Sequence, residues 1–254
     1  MESPSAAEWA TLLEERPWRE KSLFPSPERA DEEGALCLSD GLDCRLLLDA
    51  YYHGIFPWPF EEESILWASP PLRGVLPLSE FHIPKTLKRE WKKSPFTVRI
   101  DTCFPEVMAG CAQALRPGEE GTWITGMLQE AFLEFHRLGY AHSFEAFAPD
   151  GTLAGGLYGV LLGKIFCGES MFYRQSGASK IAFCVAVEQL RAHGVTLVDT
   201  QMVTNLTASF GAREIPRREY LALLEEWRDD SPTPGIFPRE PPLRLPPDRP
   251  ALCP

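Results

Sequence analysis

The stretch whose reading decides the fold is residues 155 to 217, GGLYGVLLGKIFCGESMFYRQSGASKIAFCVAVEQLRAHGVTLVDTQMVTNLTASFGAREIPR. Its first half holds two strand-like, largely apolar runs, residues 153 to 162 and 165 to 172, joined by a turn at Gly163-Lys164. A third run, residues 142 to 148, ends at Pro149-Asp150-Gly151, so the three read as an antiparallel meander. Residues 179 to 193 then carry a helical apolar period that Gly194 ends, and VTLVD, residues 195 to 199, reads as a buried strand.

Working outward toward the N-terminus, residues 128 to 138 form a helix with Ala131, Phe132, Phe135 and Leu138 on one face. Further helices are expected at 103 to 115, 84 to 93 and 44 to 55, and strands at 96 to 100 and 74 to 78. An amphipathic helix is expected around Ala6 to Glu15. Pro216 opens a last helix, residues 217 to 227, and residues 231 to 254 are proline-rich with no apolar period. Helices, a three-strand meander, a long helix and a further strand predict an α+β fold: a GNAT-like acyltransferase domain with a mixed sheet flanked by helices. The boundary falls near residue 75, giving a small N-terminal domain (1–74), a catalytic domain (75–230) and a C-terminal tail (231–254).

Composition narrows the functional classes. The 254 residues are 44% hydrophobic and 24% charged, with no apolar run long enough to span a membrane. The acidic N-terminus has no basic, apolar leader, so a cytoplasmic location is expected. Seven cysteines are scattered without a C-x-x-C pair, which predicts reduced thiols and no metal site. A net charge of -11 argues against a generic nucleic-acid binder. Yet PKTLKREWKK, residues 84 to 93, gathers Lys85, Lys88, Arg89, Lys92 and Lys93 on one helix.

Several residues carry possible chemistry. Asp199 and Gln201 end the VTLVD strand two residues apart, so in an extended chain both point to one face, either to orient a substrate or to cap a turn. In FCGESMF, alternation puts Glu169 on one face with Cys167 and Met171, where a carboxylate needs a partner or solvent. Trp58 lies between Pro57 and Pro59, which hold it in extended backbone as a core plug or a stacking face. No G-x-S-x-G elbow or histidine base motif is present.

Taken together, FPW (56–58), ILW (65–67), GTWIT (121–125), GGLYGV (155–160), FCGESMF (166–172), ASK (178–180), DTQ (199–201) and ASFGA with IPR (208–212, 215–217) resemble the leucyl/phenylalanyl-tRNA-protein transferase family over about residues 37 to 228. Departures are Ser39-Asp40-Gly41 where a glycine-glycine-aspartate turn is usual, Ala68 where a second Trp is common, and Leu206 where His is frequent.

The resemblance implies an aminoacyltransferase that moves Leu or Phe, with Met as a further candidate, from aminoacyl-tRNA to the α-amine of proteins beginning with Arg or Lys; a monomer is expected, though no residue pattern sets the oligomeric state. Such proteins are thereby marked for N-degron degradation, and no cofactor or metal is implied. It assigns Asp199, Gln201 and Glu169 to the reacting groups, Trp58 and Trp123 to the terminal adenosine, and Lys85, Lys88, Arg89, Lys92 and Lys93 to the acceptor stem. The aminoacyl side chain falls to Leu157, Phe166, Met171, Phe183, Ala186, Leu190 and Val198. Two alternatives stay open: an acyl-CoA-dependent N-acyltransferase, disfavoured because YRQSGA (173–178) holds a single glycine for a pyrophosphate turn, and a non-catalytic tRNA- or degron-binding adaptor.

Overall fold

The computed structural model describes residues 11, 15–61, 64–114 and 124–230. Trp123, most of the helix expected at Ala6 to Glu15 and the 231–254 tail lie outside the described residues.

A three-stranded antiparallel sheet comes first, ordered β1 (Ala35–Asp40), β3 (Ser64–Ala68), β2 (Phe56–Glu61), with helix α1 (Cys44–Tyr52) between β1 and β2. Asp43 caps α1 by accepting the Leu46 amide at 2.8 Å. Pro57 and Pro59 are tolerated because β2 is an edge strand, so its missing amides break no inner ladder. One face of this sheet is anchored by Trp67, whose indole donates to Ser39 Oγ at 2.8 Å. β1 is only six residues long and none of them is fully buried, so periodicity did not mark it.

The main sheet has seven strands in the order β10-β4-β9-β8-β7-β6-β5. They are β4 (Leu72–Pro77), β5 (Thr97–Ile100), β6 (Ala141–Phe147), β7 (Leu153–Leu162), β8 (Ile165–Tyr173), β9 (Leu197–Gln201) and β10 (Arg213–Pro216). The expected meander is β6-β7-β8, and every pairing is antiparallel except β8 with β9. That parallel pair needs a long crossover, which α5 (Ala178–Ala192) supplies. The architecture is thus α+β, with a mixed sheet between helices. The remaining helices are α2 (Lys85–Lys93), α3 (Phe104–Ala112), α4 (Gly126–Arg137), α6 (Asn205–Ser209) and α7 (Arg217–Trp227).

Two apolar cores lie on opposite faces of the sheet. One joins α1, α3, α4 and α7 to Tyr158, Val160, Ile165, Cys167 and Leu197. The other packs α5 on Phe144, Leu157, Phe166 and Val198. Trp67 and Tyr51 of the N-terminal segment belong to the first core, so this segment buries apolar surface together with the main sheet.

Candidate active site

The parallel ladder of β8 and β9 pairs Ile165, Phe166 and Cys167 with Leu197, Val198 and Asp199 and runs no further. Crevices at the carboxyl ends of such strands are natural places for a ligand. Here both strands carry an extra residue. On β8, Gly168 pairs with Gly159 and Ser170 with Tyr158, which leaves Glu169 as the bulged residue. On β9, Asp199 pairs with Val75 and Gln201 with Gly74, which leaves Thr200 unmatched. Bulges re-aim side chains, and these two lie side by side.

The first bulge overturns the expected alternation of β8. Cys167 belongs to the core under α1 and α7, whereas Met171 packs into the core under α5. Glu169 stays with Cys167 and not with Met171, because the extra residue reverses the phase of the strand. The second bulge changes how Asp199 and Gln201 meet. Gln201 has φ 59, a left-handed backbone that costs a non-glycine residue about 1 kcal/mol or more, so the chain is not simply extended there. Gly74 permits this fold-back: a Cβ on it would meet the Met202 carbonyl carbon at 2.6 Å and Thr200 Oγ1 at 2.7 Å.

Asp199 is fully buried and its carboxylate is saturated. Arg73 from β4, 1% exposed, grips it with two hydrogen bonds: Nε to Oδ1 at 2.9 Å and Nη2 to Oδ2 at 2.7 Å. The Tyr220 hydroxyl donates to Oδ2 at 2.8 Å, and the Gln201 amide to Oδ1 at 2.8 Å. Arg73 is itself sandwiched, its guanidinium carbon 4.6 Å from the Phe56 ring centre and 4.5 Å from that of Tyr220. Burial alone would weaken the Arg73 charge, but Asp199 holds its pKa above the ordinary value. Burial, reinforced by Asp199, raises Tyr220 and Cys167 well above theirs, so both stay protonated.

Glu169 is joined to this group through Gln201, whose Nε2 donates to Oε1 at 2.9 Å. Glu169 as a residue is only partly buried, in contrast to Asp199. Burial pushes Glu169 up to about 7 and nearby Asp199 adds to the shift, while Tyr51, Gln201 and Arg73 oppose it. The Tyr51 hydroxyl lies close enough to act on Glu169 electrostatically, without forming a hydrogen bond of normal geometry. Among the described residues, no three His, Cys, Asp or Glu side chains gather as a metal set.

Asp199, Gln201 and Glu169 are therefore one hydrogen-bonded unit. Leu157, Phe166, Met171, Phe183, Ala186, Leu190 and Val198 also converge, on the α5 side of the sheet, with Met171 the most exposed of the seven. Trp58 is 39% exposed on β2, which rules out the core-plug reading. Lys85, Lys88, Arg89, Lys92 and Lys93 are all exposed on α2, which Leu87 and Trp91 fasten to the core under α5. Arg73, Tyr220 and Tyr51 were missed from sequence. The usable signal was Arg73 itself, a lone charge in the apolar run LRGVLPL (72–78), which demands a buried partner.

Comparison with known proteins agrees with the motif resemblance. A family model described as leucyl/phenylalanyl-tRNA protein transferase matches residues 75–225, and the model of that family's N-terminal domain matches residues 40–71. The leucyl/phenylalanyl-tRNA–protein transferase of Anaeromyxobacter sp. (strain K) is 50% identical over 201 residues, 79% of this chain and 86% of that relative. That of Myxococcus xanthus (strain DK1622) is 46% identical over 202 residues, 80% of this chain and 86% of the relative. Among solved structures, FemX is similar at 13% identity with a TM-score of 0.45, over 61% of this chain and 64% of that one. Such identities over most of both chains, with the family model running from Val75 inside β4 to Glu225 inside α7 and so across Glu169, Asp199, Gln201 and Tyr220, leave one conclusion: the chain belongs to the leucyl/phenylalanyl-tRNA protein transferase family.

Proposed function

We propose that this chain moves Leu or Phe, with Met as a further donor, from aminoacyl-tRNA to the α-amine of proteins beginning with Arg or Lys, marking them for N-degron degradation. The observation that carries the reading is the linked Glu169–Gln201–Asp199 unit at the end of the β8–β9 ladder, in a chain of this family. The reaction is aminolysis of an activated ester, so its demands are two aligned substrates and the management of a proton. Glu169 receives the acceptor's ammonium, and Gln201, braced by Asp199, orients the amine against the ester carbonyl.

The exposed cations of α2 contact the acceptor stem, and Trp58, with Trp123, stacks on the terminal adenosine. We assign the aminoacyl side chain to the α5 side of the sheet, entering at Met171 with Leu157, Phe166, Phe183, Ala186, Leu190 and Val198 behind it; an apolar site of this kind discriminates by fit, about 1 to 3 kcal/mol per methylene. The parting of β8 and β9 after Cys167 supports a GNAT-like catalytic domain (75–230), preceded by a small N-terminal domain (1–74) and followed by the tail (231–254). We further propose a cytoplasmic monomer; no described helix is long and apolar enough to cross a membrane. Incubation with leucyl-tRNA and a peptide beginning with Arg should yield a Leu-extended peptide, and absence of transfer with Leu, Phe and Met alike refutes the proposal.

A further inference from the structure

We infer that Glu169, and not Asp199, takes the proton from the acceptor amine, and that Arg73 and Tyr220 are positioning residues that lock Asp199 as a strut for Gln201. The inference rests on the aminoacyl transfer proposed above.

A carboxylate offers about four acceptor directions. Asp199 spends all four: Oδ1 on Arg73 Nε and the Gln201 amide, Oδ2 on Arg73 Nη2 and the Tyr220 hydroxyl. To accept a proton it would have to expel one of these donors, and it has no exposed surface through which a substrate could reach it. Its bond to the Gln201 amide instead stabilises the left-handed backbone that aims the Gln201 side chain at Glu169. Glu169 is the opposite case. It accepts one hydrogen bond of normal geometry, from Gln201 Nε2, keeps partial exposure, and stands on the bulge at the open end of the ladder. Burial holds it at about 7, close to the pH at which it would work, where a base is most effective.

The step balances as follows. The acceptor enters as R–NH3⁺, and one proton passes to the Glu169 carboxylate. The freed nitrogen lone pair attacks the ester carbon, the C–N bond forms, and the carbonyl electrons move to oxygen. As they return, the bond from carbon to the ribose oxygen breaks, and that oxygen takes the second nitrogen proton, leaving an amide and a free ribose hydroxyl. Glu169 then releases its proton to water.

The test is the pH profile of kcat/KM for an Arg-initiated peptide at saturating leucyl-tRNA, from about pH 5.5 to 9. The step needs Glu169 as the carboxylate while the amine is still protonated, so the wild-type profile rises through about 7 and levels off above the amine's own value of about 7.7 to 8.0, where the nitrogen is already free. Glu169→Gln should lower the rate at neutral pH by about 10²- to 10⁴-fold and move the rise up to the amine's own value, where the nitrogen loses its proton unaided. Tyr220→Phe should lower kcat/KM by about tenfold and leave the rise where it was. A rise that stays at about 7 in Glu169→Gln, or one that Tyr220→Phe displaces, overturns the inference while leaving the transferase reading intact. Both variants are close in shape to the native residue, and circular dichroism matching the wild type shows that they fold. Absence of transfer by the wild type overturns the function itself, and this inference with it.

Discussion

Arg73→Met is the sharpest probe of how this site is held together. The guanidinium is 1% exposed and Asp199 is fully buried, so methionine fills the volume but strands a carboxylate with no counter-charge. It also removes the bond from Nη1 to the Gly54 carbonyl at 3.3 Å and the cation between the rings of Phe56 and Tyr220. Breaking a buried pair from one side costs about 3 to 5 kcal/mol, which in a chain of this size lowers the midpoint of thermal unfolding by on the order of 10 °C. The pair's net worth is smaller, because burying both ions was itself costly. The double variant Arg73→Met/Asp199→Asn leaves no charge behind and keeps an acceptor for the Gln201 amide, so it should be more stable than Arg73→Met alone by about 2 kcal/mol. Urea unfolding followed by tryptophan fluorescence measures all three proteins. A cost below about 1 kcal/mol for Arg73→Met, or a double variant no more stable than the single one, would refute the reasoning.

Other consequences are more local. Glu145 is buried and accepts from Ser143 and Thr102, yet burial raises it to about 7 from an ordinary 4.5. The folded chain therefore binds this proton more tightly than the unfolded one, and stability falls as pH rises between those values, by about 3 kcal/mol in all. Glu145→Gln should narrow the difference between unfolding midpoints at about pH 5 and pH 8, and an unchanged difference would show that Glu145 does not set it. Gly74→Ala forces a Cβ against the Met202–Val203 backbone and the Thr200 hydroxyl and should cost about 1 to 3 kcal/mol, with a loss of transfer beyond that of an equally destabilised surface variant. Charge reversal at Lys88 and Arg89, both exposed, should leave the unfolding midpoint in place, weaken aminoacyl-tRNA binding and reduce the slope of log affinity against log salt by about 1.5. Asp199→Ala should do the reverse, reducing transfer while leaving tRNA affinity nearly unchanged. Equal effects on both measurements would contradict the division of roles.

The strong periodic signals were legible. The β6-β7-β8 meander, α5 and α7 all lie where hydrophobic spacing and the glycine and proline stops put them, because each element buries one face whose period is set locally. β1 and β10 were not legible. ALCLSD and REIP are each too short to show a clear period, and they form strands because a neighbour, β3 or β4, offers a ladder.

The site divides in the same way. Residue type and order by themselves marked Glu169, Asp199, Gln201 and the basic face of α2, and the ordered motifs were enough to point to the family. What each carboxylate can do was decided only in three dimensions. Two bulges inserted single residues into β8 and β9, reversing the alternation that a lone strand would show. Arg73, 126 residues before Asp199, then came across the ladder to saturate one acid while the other stayed only partly buried. A bulge depends on its partner strand, and the behaviour of a buried charge depends on what surrounds it, so neither is a property of the local chain.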